Sequence, residues 1–179
     1  NSMSENDSLF KVMDVGGERV FGTSSTKTNI HSHYTGTALE GLSAYEYTGR
    51  MRISNASGGL GVTFSSAYPN KDAYYRLRRH NGSKRFHLAP HGTTILGDID
   101  TGVTPLANTW YRYRIQVEDT GSVTEIRAKV WAEGQGEPAS WQAQAYDNSA
   151  SRLKSGTVGI WSMGPGYKYW DDLKATGNN

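Results

Sequence analysis

The sequence predicts an all-β domain, a sandwich or a barrel, and three observations carry that reading. Apolar and polar residues alternate with a period of two through most of the chain. Clusters of turn-forming residues interrupt the alternation at short intervals, and no segment sustains the period of an amphipathic helix. Roughly a dozen short antiparallel strands in one domain leave only those two architectures.

The strands follow in order. Tyr45, Tyr47, Gly49, Met51 and Ile53 alternate with Glu46, Thr48, Arg50, Arg52 and Ser54. Leu60, Val62 and Phe64 then alternate with Gly61, Thr63 and Ser65. Tyr75 and Leu77 oppose Tyr74, Arg76, Arg78 and His80, and Phe86 and Leu88 oppose Arg85 and His87. Between the last two runs, Asn81-Gly82 predicts a two-residue hairpin, because both residues tolerate the positive φ of a type I′ turn. Tyr111, Tyr113, Ile115 and Val117 oppose Trp110, Arg112, Arg114 and Gln116, and Ile126, Ala128 and Val130 oppose Glu125, Arg127, Lys129 and Trp131. Each pattern is that of a strand with one buried and one wet face. Turns fall at Ser57-Gly58-Gly59, Pro69–Asp72, Asp119-Thr120-Gly121 and Gly164-Pro165-Gly166, and Glu133–Ala139 and Ala150–Lys154 read as irregular.

With 179 residues the chain fits one domain, expected over residues 9–175, with a loosely held stretch at 1–8 and a short tail at 176–179. It has no cysteine, which excludes a disulfide scaffold, a thiolate zinc site and a cysteine nucleophile. The longest apolar runs are only a few residues, too short for a membrane-spanning helix. The net charge of +2 hides an asymmetry. Between Arg50 and His91 lie eight basic residues and one acid, a local +7, so the remainder carries −5. His80, His87 and His91 fall in the same window. Such a concentration makes a local field that attracts an anionic partner, unless acids from other strands neutralise it.

Two stretches carry a resemblance. One is the strand Trp110–Val117 with its partner Ile126–Val130. The other is the closing pair Gly156-Thr157-Val158-Gly159-Ile160-Trp161 and Tyr169-Trp170-Asp171-Asp172-Leu173, an aromatic-Asp-Asp-hydrophobic ending. Together they resemble the concanavalin A-like lectin/glucanase jelly roll, the two-sheet sandwich of laminin G-like domains, many carbohydrate-binding modules and several polysaccharide lyases and hydrolases. The resemblance implies an antiparallel jelly-roll β-sandwich and a secreted, periplasmic or cell-surface location, and Trp161 and Trp170, sitting in the closing strands, are expected in the core. It also implies a structural Ca²⁺ held by Asp171 or Asp172, helped by Asp14 or Glu18; no organic cofactor is expected. The chain departs from the hydrolases and lyases of this fold by lacking an E-x-D-x-E run and the R-S/T-E-x-R and Q-I/V-H motifs.

The candidate ligand-binding residues are Tyr74, Arg76, Arg78, Arg85, His87 and Arg112, with Trp110 and Trp131 for stacking. Guanidinium forks match carboxylate and sulfate oxygens, and aromatic rings stack on the apolar faces of sugars. On one concave sheet they would grip an acidic polysaccharide, uronic acid-containing or sulfated. The enzymatic alternative is β-elimination on a uronate polymer, with Arg76 neutralising the carboxylate and His87 and Tyr74 moving protons. A laminin G-like adhesion domain with a merely solvated face is the third reading. Weaker patterns are the carboxylates Asp98, Asp100 and Glu125 for hydrolysis, and His31-x-His33 as two metal ligands. Nucleic acid is the competing anionic partner, disfavoured by the near-neutral total charge.

Overall fold

The computed structural model describes residues 7–39 and 41–177. Thirteen strands follow in chain order: β1 (Lys11–Val15), β2 (Glu18–Thr23), β3 (Ile30–His33), β4 (Ala44–Ile53), β5 (Gly59–Ser66), β6 (Tyr74–Arg79), β7 (His87–His91), β8 (Leu96–Asp98), β9 (Trp110–Asp119), β10 (Thr124–Ala132), β11 (Ala143–Asp147), β12 (Thr157–Met163) and β13 (Lys168–Gly177). They form an eight-stranded sheet ordered β1-β2-β13-β4-β9-β10-β11-β8 and a five-stranded sheet ordered β3-β12-β5-β6-β7. The pairings are antiparallel, and the architecture is the expected two-sheet jelly-roll β-sandwich.

The predicted inward residues make the core. Tyr45, Tyr47, Met51 and Ile53 of β4 and Tyr111, Tyr113, Ile115 and Val117 of β9 face Leu60, Val62 and Phe64 of β5 and Tyr75 and Leu77 of β6. Burying each large apolar side chain contributes about 1.5–3 kcal/mol. The core tyrosines also need hydrogen-bond partners, and these tie the sheets together. The Tyr45 hydroxyl accepts from the Ser65 amide at 2.7 Å, and the Tyr75 hydroxyl donates to Asp147 at 2.8 Å. Trp170 donates from Nε1 to the Gly61 carbonyl at 3.0 Å.

Three sequence expectations are corrected. The two-residue hairpin at Asn81-Gly82 is absent: β6 and β7 pair, but seven residues connect them, and neither Asn81 nor Gly82 has positive φ. The cause lies beyond the hairpin. Phe86 is fully buried, and its amide donates to Val103 while its carbonyl accepts from Thr101, so the 99–103 segment captures it before β6 does. The turn instead closes from His80 to Ser83. Trp161 is buried but lies outside the intersheet core, on the far face of the five-stranded sheet. At the C-terminus, strand β13 continues through Thr176 and Gly177, paired with Glu46 and Tyr45. Residues 1–6, most of the expected loose stretch, and residues 178–179 lie outside the described residues.

Candidate functional site

The arginines of the basic strands divide between two outer faces with opposite surroundings. Arg50, Arg52, Arg112, Arg114, Arg127 and Lys129 project from the eight-stranded sheet. There Arg50 meets Glu18 at 2.8 Å, Asp171 at 2.6 Å, Glu133 at 3.2 Å and Asp172 at 3.7 Å. Arg112 meets Glu133 at 2.8 Å, Arg114 meets Glu46 and Glu137, and Arg127 meets Glu125. The acids come from β2, β4, β10, β13 and the loop after β10. Most of this face is therefore neutralised in place. Arg112, Trp110 and Trp131 belong to it, so they do not share a surface with Arg76 and Arg78.

The carboxylates expected to hold calcium are part of the same network. Asp171, Asp172 and Glu18 surround the Arg50 guanidinium, which already occupies the centre of the cluster. Among the described residues no group of three or more ligating side chains converges as a metal site. The donor set does not fit a cation, because a calcium ion there would have to displace Arg50.

The outer face of the five-stranded sheet is built differently. Cross-strand register places His31, Trp161, Gly61, Arg78 and His87 in one row. The next row is His33, Gly159, Thr63, Arg76 and Ala89. The guanidinium groups of Arg78 and Arg76 stack on the Trp161 ring at 4.9 and 5.5 Å. Arg76 is 5% exposed; it donates to Asn29 at 3.2 Å and to the Pro90 carbonyl at 2.9 Å. Tyr74 is fully buried, stacked on His91 at 4.7 Å and beside His31 and His33 at 5.4 Å. Tyr74 and Arg76 thus form a floor that no ligand reaches directly.

Where that floor ends, the surface opens. Arg78, His80, Gly82, Ser83, Arg85, His87, Ile99 and Asp100 line a cleft of about 620 Å³. The long β6–β7 loop makes one wall and the segment that captures Phe86 makes the other. Among the described residues, no carboxylate lies within ion-pair distance of Arg76, Arg78 or Arg79. Asp100 pairs with Arg85 at 3.0 Å, and Asp72 with His91 at 3.0 Å. Of the eight predicted ligand-binding residues, Arg78, Arg85 and His87 therefore meet at one cleft.

Charge in the cleft comes from arginine. Burial, then the nearby Arg76, lower the Arg78 pKa to about 10, which still leaves it charged at neutral pH. Burial and the surrounding guanidinium groups hold His80 and His87 below the ordinary imidazole value, so both are neutral there. At the other end of the face, burial and the adjacent His31 push His33 down to about 3. His33 Nε2 lies 2.9 Å from His31 Nδ1, and His33 Nδ1 lies 3.3 Å from Thr63 Oγ1. The pair is consumed in mutual and sheet contacts. For paired-carboxylate chemistry, Glu125 is paired with Arg127 on β10, two strands from the edge strand β8 that Asp98 closes, while Asp100 bridges to His87 of the other sheet and pairs with Arg85.

Sequence reasoning left His80, Ile99 and Asp100 out of the ligand set. The spacing of His80 from Arg78 was a usable signal; Asp100 arrives only through its bridge to His87. Trp161 was read as core because it sits in a closing strand, and membership of that strand does not say which of its faces is inside.

Fold and face together define a jelly-roll sandwich with one neutralised and one carboxylate-poor sheet surface. No family model matches the chain, and no curated protein matches it in sequence. Among solved structures it is similar to the catalytic domain of the glycoside hydrolase family 131 protein from Coprinopsis cinerea. That superposition has a TM-score of 0.53 at 11% identity and covers 89% of this chain and 70% of that one. A GH131 beta-glucanase catalytic domain from Podospora anserina superposes with a TM-score of 0.47 at 8% identity, over 98% of this chain and 82% of that one. The first likeness supports the jelly-roll sandwich fold, and at such identity it transfers no residue roles.

Proposed function

We propose that the protein binds an acidic polysaccharide at the cleft lined by Arg78, Arg85, His80 and His87. The observation that carries this reading is Arg78: a charged guanidinium stacked on Trp161, at the mouth of a cleft, with no carboxylate partner among the described residues. Stacking fixes the guanidinium plane and leaves its donors to a ligand's carboxylate or sulfate oxygens. Binding fits better than β-elimination because Tyr74 and Arg76 are covered, while the exposed groups are those that grip an anion.

Affinity electrophoresis in gels containing alginate, polygalacturonate or chondroitin sulfate tests the proposal. The expected result is retardation that added salt weakens and that is lost in Arg78→Ala. It should strengthen as the pH falls below neutrality, where His80 and His87 begin to take protons. Retardation indifferent to salt, or retained in Arg78→Ala, overturns the assignment. New absorbance from an unsaturated uronate during incubation would replace binding with lyase chemistry.

A further inference from the structure

On the eight-stranded sheet, the acids around Arg50 leave the neighbouring Arg52 alone. Arg52 has no carboxylate within ion-pair distance among the described residues, although Arg50 two positions away meets four. Its Nη2 donates only a long 3.4 Å hydrogen bond, to Asn108. Cross-strand register sets it between two aromatic residues, in the row Gly22, Tyr169, Arg52, Trp110. The guanidinium lies 5.8 Å from the Tyr169 ring and 6.0 Å from the Trp110 ring. Those rings are 6.5 Å apart, and Tyr167 extends the row, nearly parallel to Tyr169 at 6.1 Å.

The row is held rigidly. A Cβ at Gly22 would come within 3.0 Å of the Tyr169 ring, so the glycine is the seat on which that ring rests. The Tyr167 main chain is anchored to Ser54, its carbonyl accepting from the Ser54 amide at 2.9 Å and its amide donating to Ser54 Oγ at 2.8 Å, and the residue is 51% exposed. Three aromatic side chains in a row, two of them beside the Arg52 guanidinium, form a stacking platform for pyranose rings, with Arg52 placed to meet hydroxyl groups. The charge nearby selects the ligand. Glu18, Glu133, Asp171 and Asp172 outnumber Arg50, Arg52 and Arg112 at this end, so a polyanion gains nothing here.

We infer that Tyr167, Tyr169, Arg52 and Trp110 form a second carbohydrate-binding site, on the opposite sheet from the cleft, that takes a neutral glycan chain. The two sites are separable by salt, because stacking is not screened and guanidinium–anion attraction is. Electrophoresis of the purified protein in gels containing hydroxyethyl cellulose should show retardation unaffected by added sodium chloride. Tyr167→Ala should weaken that association about tenfold, while Tyr167→Phe retains it. Arg78→Ala should leave it unchanged, and Tyr167→Ala should leave alginate retardation unchanged. Titration with cellohexaose, followed by tryptophan fluorescence, gives a second measurement, with the change expected to disappear in Trp110→Phe. The inference is overturned if hydroxyethyl cellulose does not retard the wild-type protein, if Tyr167→Ala is retarded equally, or if Arg78→Ala abolishes the effect.

Discussion

Strands β4 and β6 carry nearly the same outward motif, Arg50-x-Arg52 and Arg76-x-Arg78, on opposite sheets of one sandwich. On β4 the neighbouring strands supply acids, and Arg50 is enclosed by Glu18, Glu133, Asp171 and Asp172. On β6 the neighbours supply glycine, threonine, alanine and histidine, and the arginines fall back on the Trp161 ring. A guanidinium enclosed by carboxylates is a structural cross-link. One resting on an aromatic ring keeps its charge available. The difference lies in what the partner strands present: it makes Arg50 a cross-link of the fold and leaves Arg78 charged and without a carboxylate partner.

The largest effect expected from breaking this contrast is on stability. Arg50→Ala leaves four carboxylates facing one another around a side chain that was 12% exposed. The acids themselves reach solvent, so the expected loss is about 3 kcal/mol, the lower end for a broken buried pair. Chemical denaturation measures it, and alginate binding should survive in the folded fraction. Arg78→Ala should do the reverse. Its binding should fall about thirtyfold, near 2 kcal/mol. Its unfolding midpoint should change little, because no ion pair is lost. If Arg50→Ala unfolds no more readily than Arg78→Ala, the division between the faces fails.

Much of this was legible in the sequence. Period-two alternation placed the inward residues of β4 and β9 correctly, since each strand decides its own parity. What parity cannot report is which strands become neighbours. Strand β13 inserts between β2 and β4, and β12 between β3 and β5, through pairings roughly ninety to a hundred and fifty residues apart in sequence. Those insertions bring Asp171 to Arg50 and Trp161 to Arg78, and so decide which arginines are neutralised. The same limit explains Trp110 and Trp131, which share the polar parity of their strands but on the other sheet from Arg76. It also explains the missing tight hairpin, where a distant segment claimed Phe86.

A smaller effect separates the faces by pH. Burial and His31 hold His33 near 3, against 6.5 for a free imidazole. The folded state therefore favours neutral His33, and its contribution is complete above pH 6.5 and is lost as the pH falls toward 3. Between pH 7 and pH 5 the loss should be about 2 kcal/mol. The unfolding free energy of His33→Gln should fall less steeply with acid than that of the wild type. Parallel slopes would mean that this end of the five-stranded face is wetter than its contacts with Thr63, Tyr68 and Tyr74 imply.

The smallest stability change carries the most direct test of the comparison. His87 is the cross-strand partner of Arg78, and both line the cleft. Replacing it as His87→Glu places a carboxylate where the eight-stranded sheet has one and this face does not. The new pair would be partly exposed, so the gain in stability should be only about 0.5 kcal/mol. The effect on recognition should be far larger, because the carboxylate takes the donors a ligand would use and repels the ligand's own charge. Alginate retardation should vanish in His87→Glu, while His87→Gln, which adds no charge, should keep most of it. The neutral variant separates charge from shape: equal loss in both would mean that the imidazole itself contacts the polymer. Retention in His87→Glu would mean that the lack of a carboxylate partner for Arg78 is not what the proposed binding depends on.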